Sequence, residues 1–214
     1  MSNKDKEIVE SSQSKITVPQ KNIDIQGMED IPTSMIPIPF VKVVQPGSTN
    51  ITLSSGEDAL PGTFFFKETG ESVDKLHFAL LRAKRRISEF QNKEGEDIKS
   101  TTLGILGINF PDYLPFLLTV SVASFSNFGR LVSQIKKKKS KKAWEYGITA
   151  TTEKREEVKG GLKVKYWIVN FQLDSKPIDE SGQKLLDDAY KEFAGSLNDE
   201  PTPEEKELDE ILAS

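Results

Sequence analysis

The chain has 214 residues, of which 36% are hydrophobic, enough to bury a sizeable core, and it carries no cysteine and a single histidine. Disulfides, thiolate nucleophiles, cysteine-bound zinc and histidine clusters are thereby excluded, and a reducing, cytoplasmic setting is expected. The formal net charge of -4 is unevenly spread: Asn198 to Ser214 holds seven acids against Lys206, or -6, which leaves a mildly basic body of +2 with a detached acidic tail.

Residues 1–35 mix Ser, Gln, Lys, Asp and Glu with few large apolar groups, so a flexible arm is expected there, without the apolar stretch of an export signal. The β-branched run from Ile38 to Val44 predicts a strand ended by Pro46-Gly47. A turn, a short aromatic strand at Thr63 to Lys67 and a second turn around Gly70 follow. Lys75 to Ile87 predicts a strand whose far end is strongly positive, through Arg82, Lys84, Arg85 and Arg86. Ser88 to Asp112, with glycines, charges and no clear period, reads as a long loop with one short strand near Leu103 to Ile108. The apolar run Tyr113 to Phe125 is too short to cross a bilayer and is broken by proline, so a buried strand is expected around Phe116 to Ala123, and no membrane association.

Phe125, Phe128, Leu131, Val132 and Ile135 recur at helical spacing and predict an amphipathic helix that runs into lysines. Two long strands, Ala143 to Val158 and Leu162 to Leu173, flank Lys159-Gly160-Gly161 as a hairpin. Leu185, Leu186, Ala189, Tyr190, Phe193 and Leu197 then share one face of a closing helix. The expected fold class is mainly β with helices (α+β): an OB-like antiparallel β-barrel over residues 36–197, with one inserted helix and a C-terminal helix, followed by a disordered acidic tail over 198–214.

Three stretches carry the candidate chemistry. Lys136, Lys137, Lys138, Lys139, Lys141 and Lys142, with Arg130 before them and Trp144 and Tyr146 after, concentrate cations beside aromatic rings; the same lysines also serve as a solvated helix end complementing the macrodipole. In the last strand Leu162, Val164, Tyr166 and Ile168 are expected to face the core. Lys163, Lys165, Trp167 and Phe171 lie on the other face, either to grip phosphates and stack bases or to pack Trp167 and Phe171 beneath the C-terminal helix. Arg82, Lys84, Arg85 and Arg86 form a second basic wall if their strand lies beside that hairpin. In the tail, Glu207, Leu208, Asp209, Glu210, Ile211 and Leu212 make a short acidic and apolar motif suited to a partner's groove, and the tethered acids can occupy a basic groove until a polyanion displaces them.

An acidic C-terminus closed by apolar residues, after a basic and aromatic β-barrel, resembles the single-stranded-DNA-binding proteins of bacteria and their phages. IPIPFVKVVQPGS followed by ALPGTFFFKETGES is similar to small phage proteins of replication modules. The resemblance implies coating of single strands in replication or recombination, with polymerase or helicase docking on the tail; this tail ends in Ile-Leu-Ala-Ser where the bacterial proteins typically end in phenylalanine. A homodimer is also expected, because edge strands of open sheets invite pairing.

Neither a Walker phosphate loop nor a nucleophile elbow occurs, so a noncatalytic protein without cofactor is expected. Two alternatives are a virion or scaffolding protein that assembles through the acidic tail, and a magnesium nuclease built on acids such as Asp112, Glu145 and Glu153.

Overall fold

The computed structural model describes residues 38–48, 51–91 and 97–193. The expected N-terminal arm and acidic tail, with the motif Glu207 to Leu212, lie outside the described residues. The fold is mainly β with two α-helices among the described residues. Eight strands form one sheet: β1 (Phe40–Val43), β2 (Phe64–Phe66), β3 (Glu71–Val73), β4 (Lys75–Gln91), β5 (Asp97–Asn109), β6 (Pro115–Ser121), β7 (Tyr146–Lys159) and β8 (Leu162–Pro177). Helix α1 (Phe125–Lys137) follows a 3-10 turn at Val122–Ser124, and α2 (Glu180–Phe193) closes the described chain.

The sheet order is β3-β2-β1-β6-β5-β4-β7-β8. β4, β5 and β6 form a meander, α1 follows, and β7 returns to pair antiparallel with β4 before the hairpin to β8. β1 lies parallel to β6, and β2 and β3 extend that side. The sheet curls so that its two sides meet through side chains: Gln45, just past β1, accepts the Trp167 N–H at 2.9 Å and donates to the Trp167 carbonyl at 3.1 Å. The adjoining outward backbone groups of β8 are also taken, because Ser124 accepts the Val169 N–H at 3.0 Å and Asn127 donates to its carbonyl at 3.0 Å. An exposed strand edge is a template for pairing, and these contacts close it at Trp167 and Val169.

Two faces of the sheet are apolar. Inside the curl, Val41, Phe78, Ile105, Leu118 and Ile148 pack with α1 through Leu131. The rings of Phe78 and Phe116 meet edge-on at 5.3 Å, and a Cβ at Gly107 would come within 2.8 Å of both rings. Outside the curl, Ala79, Leu81, Leu106, Ile108 and Leu117 pack with Trp144 and with α2 through Leu186, Ala189 and Phe193. α2 begins where the Asp179 carboxylate accepts the Gly182 N–H at 2.7 Å and the Ser181 hydroxyl at 2.8 Å; these bonds, the Gly182 one foremost, hold its pKa below the ordinary carboxylate value.

Four differences from the sequence expectations stand out. The long loop expected over Ser88 to Asp112 is largely β5, paired with β4 from Asn109 opposite Phe78 to Asp97 opposite Gln91. Glycines 104 and 107 interrupt its alternation in sequence, and packing beneath Phe116 and Phe78 selects the small residue at Gly107. β3 was not expected at all. Trp144, expected to stack bases, is 9% exposed and sits in the outer core. The face assignment of β8 holds for Ile168, buried at 6% exposed, but not for the rest: Trp167, Val169, Phe171 and Leu173 join the inner core, whereas Leu162 is 73% and Val164 40% exposed. Between the Gly160-Gly161 turn and Trp167 the hairpin overhangs the body, so its alternation there does not report a core.

Candidate nucleic-acid interface

Register across the sheet places one set of side chains on the outer face. Phe65, Lys42, Thr119, Gly104 and Lys84 stand opposite one another in sequence across β2, β1, β6, β5 and β4. The next row holds Ser121, Thr102 and Arg86, and the row on the other side Phe40, Leu117, Leu106 and Arg82. Leu106 and Leu117 belong to the outer core, which fixes this face as the outer one. Lys42, Arg82, Lys84 and Arg86 therefore surround a floor of Thr102, Gly104 and Thr119.

A β-bulge makes this arrangement. Leu76, Phe78 and Leu80 face inward, and strict alternation would send Arg82, Lys84 and Arg86 inward with them. The register shift between Leu80 and Arg82 lets Leu81 and Arg82 both face outward, and from there Ala83 faces the inner core and the cations the outer face. Bulges re-aim side chains in this way. Arg85, opposite Leu103, falls on the inner phase and is exposed.

Lys42 is 8%, Arg86 5%, Thr102 2% and Thr119 5% exposed. Lys42 lies 5.9 Å from the centroid of the Phe65 ring, and Lys42, Arg82, Lys84 and Arg86 all have interaction partners within the chain. A polyanion reaches these cations only by exchange with what engages them. The sequence signal for Lys42 was weak, a single lysine in an apolar strand, and only the parallel β1–β6 register links it to the arginines.

The lysine run is split by structural duties. Lys136 and Lys137 close α1, and Lys139, at φ 57°, turns the chain out of it. Lys138 donates to the Ser175 carbonyl at 3.2 Å and lies 5.3 Å from the Tyr146 ring centroid. Lys142 pairs with Asp187 of α2 at 2.6 Å, and Trp144 Nε1 donates to the same carboxylate at 2.9 Å while its ring stacks on Tyr190 at 4.4 Å. These bonds, that to Lys142 foremost, hold the Asp187 pKa below the ordinary value. Lys136, Lys137, Lys139, Lys141 and Arg130 remain exposed.

Trp167, expected as a second stacking ring, is half-buried over Gly62, where a Cβ would lie 2.8 Å from the indole; at φ 93° this position suits glycine. Phe171 packs edge-on against Phe128 of α1 at 5.6 Å, not beneath the C-terminal helix. Lys163 and Lys165 are exposed on the same phase as Trp167, near the hairpin tip, with Glu156 3.9 Å from Lys165. Tyr146 pairs with Pro177 at one end of the hairpin and Val158 with Lys163 at the other. At about 3.3 Å per residue the lysine run and the Lys163–Lys165 strip are roughly 40 Å apart along β7. The single basic surface expected from the sequence is thus three surfaces: the outer-face cradle, the end of α1 and the hairpin arm.

Among the described residues no three or more His, Cys, Asp and Glu side chains are grouped to hold a metal ion, and no helix is long and apolar enough to cross a membrane. His77 bonds Asp174 at 3.0 Å and leans on Phe110, an exposed pair away from the cradle rows. No protein-family model, curated protein or solved structure matches the chain.

Proposed function

We propose that the chain is a noncatalytic single-stranded-DNA-binding protein that acts in replication or recombination, in the manner of the phage and bacterial proteins it resembles. The observation that carries this reading is the set of rows placing Lys42, Arg82, Lys84 and Arg86 around a floor of small residues. Cations at strand spacing can track a phosphate backbone, and the small residues Thr102, Gly104 and Thr119, buried as the chain stands, offer little bulk against a sugar or base once what covers them is exchanged.

The connectivity supports an OB-type barrel. The β4-β5-β6 meander, a helix, and a hairpin returning to the first strand follow the order of that five-stranded Greek-key barrel, with β1 to β3 added on one side. Such barrels bind oligonucleotides on the face of their second and third strands, flanked by the first and last hairpins. In this chain those strands are β5 and β6, which carry the cradle floor.

The acidic segment Asn198 to Ser214 is the natural competitor. Phe193, the last residue of α2, packs against the outer core, the same face of the sheet that carries Lys42 and Lys84. The segment Asn198 to Ser214, which follows the described fold, carries a net charge of -6. Released by DNA, its motif Glu207 to Leu212 becomes available to a polymerase or helicase.

Anisotropy of labelled single-stranded and duplex oligonucleotides, at low and moderate salt, with the full chain and with a chain ending at Leu197, tests this. Preference for single strands, weakening with salt and tighter binding by the shorter chain are expected. Absence of binding by both forms overturns the reading and favours a protein that assembles through its tail.

A further inference from the structure

We infer that the outer edge of β8 between Leu162 and Tyr166 is a self-association surface, taken by the same edge of a second copy in antiparallel register centred on Val164. The first observation is where edge protection stops. The outward N–H and C=O groups of Trp167 are held by Gln45, and those of Val169 by Ser124 and Asn127. Lys165 and Lys163 follow in the same phase, so their backbone groups also point outward, and no described residue caps them. The strand here is exposed, with Leu162 at 73% and Val164 at 40%.

The second observation is that the open segment is complementary to itself. Outward groups fall on odd residues, so an antiparallel partner must pair odd with odd. Centring the two-fold axis on Val164 sets Lys163 opposite the partner's Lys165, and each pair exchanges its N–H and C=O groups. Val164 then faces its own copy in the close, non-hydrogen-bonded position, and Leu162 faces Tyr166. The three apolar positions of one edge, Leu162 and Val164 exposed and Tyr166 half-buried, thus meet the three of the other. Pairing cannot run further, because Trp167 is already occupied by Gln45.

The opposite face of the joined sheet gathers Lys163 and Lys165 of both copies, with Lys154 opposite Trp167 and Glu156 opposite Lys165 on each β7; one glutamate per copy, 3.8 Å from Lys154 and 3.9 Å from Lys165, leaves the face net positive. Like charges set directly across strands oppose pairing. The association is therefore weak alone and strengthened by a polyanion lying across the lysines, which makes it a source of cooperativity between neighbouring copies. The interface itself does not depend on the nucleic-acid reading.

The chain has no cysteine, so one introduced thiol reports on the edge without background. Val164→Cys places two thiols at a separation of about 4.5 Å between Cα atoms, within disulfide reach. Under mild oxidation the full-length Val164→Cys chain is expected to form a covalent dimer roughly tenfold faster than Val158→Cys, whose residue, 65% exposed, pairs with Lys163 one strand behind the joint, so that its two copies are separated by about three strand spacings, beyond disulfide reach. Sedimentation of the unmodified chain should show reversible dimers that increase on adding single-stranded oligonucleotide, and Val164→Glu should abolish them. Equal oxidation rates for the two thiols, or an unmodified chain that stays monomeric with and without oligonucleotide, overturn the inference. Selective cross-linking without any oligonucleotide binding leaves the interface standing and removes the DNA-binding proposal.

Discussion

Replacing Arg82 and Lys84 together by alanine removes half of the cradle cations, and the consequence can be worked in advance. Both are half-buried on β4 and face outward through the bulge, with Leu106 and Gly104 as their cross-strand neighbours. Single-strand binding loses affinity with salt at a slope of about 0.7 per neutralised phosphate, so four cradle cations give about -2.8, or a ~50-fold loss between 50 and 200 mM salt, and two give about -1.4 and a ~7-fold loss. The assay is anisotropy of a labelled oligonucleotide across a salt series, with urea unfolding of the variant alongside to establish that the fold is retained. The comparison variant removes Lys136, Lys137, Lys139 and Lys141, the exposed lysines at the end of α1. A slope unchanged in the cradle variant refutes the assignment of the cradle as the phosphate track. A slope that falls only in the comparison variant relocates the strand to the end of α1.

Other outcomes follow from the packing. Gln45→Leu leaves the Trp167 N–H and C=O without their partner and should cost about 1–3 kcal/mol in urea unfolding; no change would mean that the side-chain bridge does not close the curl. Gly62→Ala forces a Cβ against the Trp167 ring at positive φ and should lower stability by about 1–3 kcal/mol, with a shift in tryptophan emission as the indole is displaced. Trp144→Phe keeps the ring stack on Tyr190 but loses the bond to Asp187, for a loss of about 1 kcal/mol after allowance for the partly exposed carboxylate. Asp187 has a lowered folded pKa, so its contribution is fully present above the unfolded value near 3.8 and is lost as pH falls through the folded one. The gap in stability between the unmodified chain and Asp187→Asn should therefore be constant at neutral pH and narrow under acid; a gap independent of pH down to about 3 would refute that linkage.

Local chemistry alone determined a good part of this protein. Gly160 and Gly161, both at positive φ, make the β7–β8 turn because only such residues match the twist of a tight hairpin. The helical spacing of Phe125, Phe128, Leu131 and Ile135 placed the buried stripe of α1, since a stripe repeating at the helical period must find a core. Charge composition likewise separated a basic body from acids after Asn198. What only tertiary structure decided is which residues share a surface. The bulge after Leu80 shifts alternation by one residue, and a one-residue shift in a strand exchanges its two faces, so the direction of Arg82, Lys84 and Arg86 was invisible in their spacing. The parallel pairing of β1 with β6 brings Lys42 to the cradle across some 60 positions of sequence between Lys42 and Gly104. Trp144 and Lys142 passed for a stacking and gripping pair because rings and cations have the same composition whether they meet a base or, as here, Asp187 and Tyr190 of a helix that follows some 40 residues later.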